Sequence, residues 1–171
     1  MADDGGVWAK VYPNAMAAIG GGKILQVVST TKTDTFTVTS STFTDVTSLN
    51  VSITPSSSAN KIMIFTSMAW QPDANSCHGR IMRDATPIMV GAAAGSRTQT
   101  SFSTRFVSVN DIFTTSAVYL DSPATTSSVT YKIQVRHEGS GTVYVNRSSQ
   151  DSDLVQYGRG ASTISVIEVS A

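Results

Sequence analysis

The chain of 171 residues predicts an all-β fold, an antiparallel β-sandwich of about nine or ten short strands behind a short N-terminal segment. Three observations lead there. Residues 129–136 place Val129, Tyr131, Ile133 and Val135 at every second position, with Thr130, Lys132, Gln134 and Arg136 between them. A period of two gives a strand one dry and one wet face. Apolar runs of similar length recur along the chain, separated by Ser, Thr, Asp, Asn and Pro, and no segment between them has the 3.6-residue period of a helical crossover. Strands without crossovers pair antiparallel. Finally, charged residues are only 14% of the chain, against roughly 25% in an average domain, while 47 positions are Ser or Thr. An uncharged polar surface of this kind suits β-structure, because Thr fits strands and Ser fits turns.

The length suits one domain with a sizeable core. Twelve basic and twelve acidic residues cancel, which excludes a field able to hold nucleic acid or an anionic membrane. The single Cys77 excludes an intrachain disulfide. No uninterrupted apolar run reaches the roughly 18–20 residues that span a bilayer, so no membrane insertion is expected. The acidic N-terminus lacks the basic region and long apolar core of a secretory signal.

Residues 1–22 differ from the rest. Val7, Trp8, Val11 and Tyr12 stand between an Asp-Asp-Gly-Gly start and Gly20-Gly21-Gly22, with room for one helical turn at 15–19. Aromatics in a segment too short for a core of its own read as an anchor that orders against a larger partner. Residues 23–171 form the domain. Its strands are expected at 24–28, 35–38, 51–53, 61–70, 80–83, 105–109, 112–120, 129–135, 142–145 and 163–169, while 89–94 is helix-compatible but short. The run 61–70 is apolar on both faces and belongs in the middle of a sheet. Residues 117–120 and 129–135, joined through Asp121-Ser122-Pro123 and a polar loop, read as neighbouring antiparallel strands. The first and last strands are apolar on both sides, more than one sandwich core can use. Either a β-bulge shifts the phase, or Ile24, Val28, Ile167 and Val169 meet another subunit.

Chemistry is sparse. The histidines are His78 and His137. Gly139-Ser140-Gly141 lacks the spacing of a nucleophile elbow and reads as a hairpin turn. Cys77 and His78, adjacent on a strand, point to opposite faces and cannot easily grip one metal. Asp151 and Asp153 offer too few oxygen donors for calcium on their own. The paired carboxylates of a glycosidase are not recognisable, so no enzyme, metal or cofactor is expected. Loops carrying Trp70, Asp73, Asn75, Arg97, Phe102 and Tyr157 are the expected outward binding surface, with rings and hydrogen-bonding groups suited to sugar or protein.

The segments GKILQVVSTTK, VSITPSSSANKIMIF, RIMRDATPI, VYLDSPATTSSVTYKIQV, TVYVN and STISVIEV, in that order, resemble a distal domain of phage tail-fibre and other virion appendage proteins over about residues 22–171. Domains of this kind resemble the trimeric jelly-roll knobs of the C1q and tumour-necrosis-factor type. The resemblance implies a jelly roll, a homotrimer and a place on the virion surface, with capsid or tail proteins as partners. Such fibres usually carry a long repetitive shaft, whereas about 22 residues precede the domain here. A knob fixed directly to the tail, a capsid-surface decoration or a short head fibre is therefore the expectation, with a receptor-binding module for host-surface glycan as the alternative.

Overall fold

A computed structural model describes residues 22–171; the expected anchor residues Val7, Trp8, Val11 and Tyr12 lie outside the described residues. Eleven strands are present: β1 (Ile24–Lys32), β2 (Phe36–Val38), β3 (Thr44–Ile53), β4 (Lys61–Pro72), β5 (Ser76–Arg83), β6 (Thr86–Ile88), β7 (Phe102–Arg105), β8 (Phe113–Asp121), β9 (Val129–His137), β10 (Val143–Val145) and β11 (Ser162–Val169). All strand pairs are antiparallel, as the alternation predicts.

Two sheets face each other. The six-stranded sheet runs β1-β11-β4, with β8 on the other edge of β4 and the short β10 and β2 continuing past the end of β11. The five-stranded sheet runs β3-β9-β5, and β5 pairs with both β6 and β7 on its far edge. With β6 and β7 taken as one interrupted strand, the long strands interleave as first-eighth-third-sixth against second-seventh-fourth-fifth. This is the strand order of a jelly roll.

The core fills the space between the sheets. Ile62, Ile64, Met68 and Trp70 of β4, Ile164 and Val166 of β11, and Tyr131, Ile133 and Val135 of β9 are all buried. β4 lies between neighbours on both edges, so its two-sided apolar pattern does mark a central strand. One hydrogen-bonded cluster locks the interior to the last strand pair. Glu168 accepts from Asn60 Nδ2 at 2.6 Å, from Gln26 Nε2 at 2.5 Å, and from the Ser56 amide and hydroxyl at 2.7 and 2.8 Å.

Four expectations are corrected. Residues 117–120 and 129–135 are not partners: β8 pairs with β4 in one sheet, and β9 lies between β3 and β5 in the other. The polar loop that joins them therefore crosses from one sheet to the other, and Tyr131 Oη reaches across the sandwich to donate to Asp121 at 2.7 Å. For the same reason 139–141 is a turn between sheets and not a hairpin. The strand expected at 105–109 is β7, three residues earlier, because Phe102 must reach the core. Residues 89–94 form loop, not helix.

Candidate functional site

The outward face of the six-stranded sheet is apolar at one end. Strand register aligns Val27, Ile167, Met63 and Leu120 in one row across β1, β11, β4 and β8. The next row holds Ser29, Ser165, Phe65 and Val118. At the edge, Ile24 pairs with Val169, which pairs with Lys61. Exposure is high: 66% for Ile24, 59% for Val27 and Val118, and 51% for Leu120. Single exposed apolar residues are ordinary, but here they are contiguous across four strands. The one charged member, Lys61, donates to Ser122 Oγ at 2.8 Å along the rim. Farther along the same face the outward positions turn to Thr31, Thr163, Ser67, Ser116 and Thr114.

Three of the four expected interface residues, Ile24, Ile167 and Val169, belong to this patch. Val28 does not: it pairs with Val166 and packs against the core, so that expectation is corrected by the register. A register shift between Ile24 and Gln26 is the β-bulge that the two-sided pattern allowed, and it leaves both Ile24 and Leu25 in solvent. Sequence reasoning missed Val27, Met63, Phe65, Val118 and Leu120. Their alternation was visible, but which face of each strand meets the second sheet was not.

Gly22, the first described residue, lies against the apolar end of this face. A Cβ there would stand 2.4 Å from Val169 Cγ1. The described chain thus begins beside the patch. The loops at 73–75, 106–112, 138–142 and 146–161 gather at the opposite end of the sandwich, here called the tip. They are tied together: Phe106 N donates to Asn75 O at 2.8 Å, Gln150 N to Val109 O at 3.2 Å, and Gln71 Nε2 to Ser108 O.

Among the described residues, two open clefts lie at the tip. One, of about 470 Å³, is lined by Asn75, Ser76, Arg105, Glu138 and Gly139. The other, of about 280 Å³, is lined by residues 151–154 with Tyr157 and Arg159. Of the expected outward residues, Asn75 and Tyr157 line these clefts. Asp73 lines neither and has a structural role, accepting from Thr142 N at 2.8 Å and Tyr144 Oη at 3.2 Å. Arg97 is exposed but sits on the loop between β6 and β7, beside the five-stranded sheet and away from the tip.

Trp70 and Phe102 are corrected outright. Trp70 is 0% exposed, its indole N–H donating to Thr115 Oγ1 at 3.0 Å, and its ring meets Phe102 edge-to-face at 5.5 Å. Both are core residues, because β4 runs inward-facing through Trp70 and only a glycine at position 79 leaves space for the Phe102 ring.

The titratable side chains are mostly spent on structure. Asp151 bonds Arg159 at 2.6 Å and Arg147 at 3.6 Å. Burial pushes the Cys77 thiol well above its ordinary value, so it is held as an inert thiol on the inner face of β5. His78, on the outer face, is lowered by burial first and by Arg136, with Glu138 at 3.9 Å opposing them. His137 is fully buried, its Nε2 bonded to Ala74 O at 2.7 Å. Among the described residues no group of three or more His, Cys, Asp and Glu side chains could hold a metal ion.

The outer face of the five-stranded sheet has the opposite character. Arg80 stacks on the Phe43 ring at 4.0 Å and bonds Gln134 at 2.9 Å, while Lys132 and Gln134 both bond Asp45, at 2.7 and 2.6 Å. Arg136 lies over the same ring at 5.9 Å. The two broad faces of the sandwich are thus one apolar and one cationic. No protein-family model matches the chain, and no curated protein matches it.

Proposed function

We propose that this protein is a non-enzymatic structural component of a bacteriophage particle, a homotrimeric knob docked on the capsid or tail through its N-terminal segment. One observation supports the reading most. The uncharged apolar face of the β1-β11-β4-β8 sheet lies at the end where residues 1–21 enter, and the loops lie at the other end. A second copy of the same face needs no charge complement, since the patch contains none beyond the rim lysine. Burial of exposed valine, leucine and isoleucine contributes roughly 25 cal/mol per Å². Association through this face would bring the entering segments of the copies together and leave the tips free. Trp8 and Tyr12 in each segment then supply the anchor, and several copies together raise the attachment by avidity.

The test is a chain starting at Gly22. It is expected to fold and associate like the full chain, yet fail to bind particles that lack the protein. Equal decoration by the shortened chain rejects the N-terminal anchor.

A second reading, recognition of host-surface glycan, is favoured by the two open clefts at the tip, opposite the apolar end. Binding of the purified protein to host cells, removed by stripping their surface polysaccharide, tests it.

A further inference from the structure

We infer that the larger tip cleft is a binding site for a carboxylate-bearing sugar, with Arg105 as the residue that holds its carboxylate. The inference rests on the glycan-recognition reading and names the ligand class. Strand register builds the cleft: Ser76 of β5 pairs with Arg105 of β7, and on the other side Glu138 N donates to Ser76 O at 2.9 Å. Three adjacent strand ends therefore present Arg105, Ser76 and Glu138 outward in one row. The next row holds Ser103, His78 and Arg136, and the one after it Arg80 and Gln134.

Charge sets the ligand class. Arg80, Arg105, Lys132 and Arg136 share this face with the carboxylates of Asp45 and Glu138. Lys132 is satisfied by Asp45 and Arg80 by Gln134 and the Phe43 ring. Among the described residues Arg105 has no ion-pair partner. A free guanidinium at the mouth of a cleft binds a planar carboxylate with two parallel N–H donors. Glu138 on the opposite wall repels a second negative charge but accepts from hydroxyl groups, and the exposed Asn75 both donates and accepts. The arrangement selects one anionic group flanked by hydroxyls, which describes an acidic sugar better than a phosphate dianion. A cleft of about 470 Å³ has room for such a ring.

The experiment is titration of the full chain, followed by NMR, with methyl glucuronoside, methyl glucoside and inorganic phosphate. The glucuronoside should bind, with the resonances of Asn75, Ser76 and Gly139 shifting, and the glucoside at least about tenfold more weakly. Arg105→Gln should weaken glucuronoside binding about tenfold or more at unchanged melting temperature and oligomeric state. Glu138→Gln, which removes the charge that repels a second anion, should raise phosphate affinity relative to the parent. Equal affinity for the two glycosides, an unaffected Arg105→Gln variant, or phosphate binding as strong as the glucuronoside each overturns the proposal. Absence of glucuronoside binding with host cells still bound overturns the acidic-sugar assignment alone; absence of cell binding as well removes the glycan reading with it.

Discussion

At the scale of single residues, the polar groups inside the sandwich decide its response to acid. Glu168 is fully buried, which taken alone would raise its pKa, but the bonds from Asn60, Gln26 and Ser56 outweigh burial and hold it at about 2, below the ordinary 4.5. A folded-state pKa below the unfolded one stabilises the protein above the ordinary value, and that stability fades as pH falls from about 4.5 to about 2. Melting temperature is expected to drop through this window. Glu168→Gln should melt lower than the parent at pH 7 and show a flatter profile between those limits; parallel profiles for the two proteins would refute the assignment. Asn146 has a comparable role at the other end, donating to Lys32 O and Asp34 O and accepting from Ser162 Oγ. Gly79 is the most closely packed of the described glycines. An added Cβ would stand 2.0 Å from Phe102 Cε2, so Gly79→Ala should cost about 1–3 kcal/mol in urea unfolding. Combining it with Phe102→Leu should recover part of that loss, because the smaller side chain vacates the space.

At the scale of elements, the same alternation in two strands leads to opposite fates. In β9 the apolar set, Val129 to Val135, faces the second sheet. In β8 the larger apolar side chains, Val118 and Leu120, face solvent, while Ala117, Tyr119 and Asp121 point inward. The period of two was legible in both, and the face was not, because a strand shows which residues share a side but not what that side meets. Val118→Asp is expected to leave the monomer folded and to dissociate the assembly, since a charge at a 59% exposed position is harmless until a partner covers it. Sedimentation together with circular dichroism checks both halves. Ile164→Asp, by contrast, puts the charge between the sheets and should unfold the chain.

At the scale of the whole molecule, the sandwich has three distinct surfaces. One broad face is apolar near the end where residues 1–21 enter, the other broad face is cationic, and the tip loops form clefts. In the knob proposed above, the apolar face would serve association and the tip would stay exposed, while attachment would run through the N-terminal segment. Sedimentation of the full chain is expected to show a species of about three times 18.0 kDa at micromolar concentration. A stable monomer there would leave the apolar face without the occupant proposed for it.

The sequence by itself determined the fold class, the antiparallel pairing, the central place of residues 61–70 and the doubly apolar character of the first and last strands. These follow from local periodicity and turn chemistry, which neighbouring residues encode directly. It also identified Ile24, Ile167 and Val169 as surplus to one core, because counting apolar faces needs no coordinates. Only the tertiary structure decided which sheet each strand joins, that Val28 turns inward, and that Trp70 and Phe102 pack against each other in the core. Those outcomes depend on partners far apart in the chain, such as Gly79 under the Phe102 ring, for which local sequence carries no signal. The row of Arg105, Ser76 and Glu138 is of the same kind. Three unremarkable polar residues from three strands become one cleft because register sets them side by side.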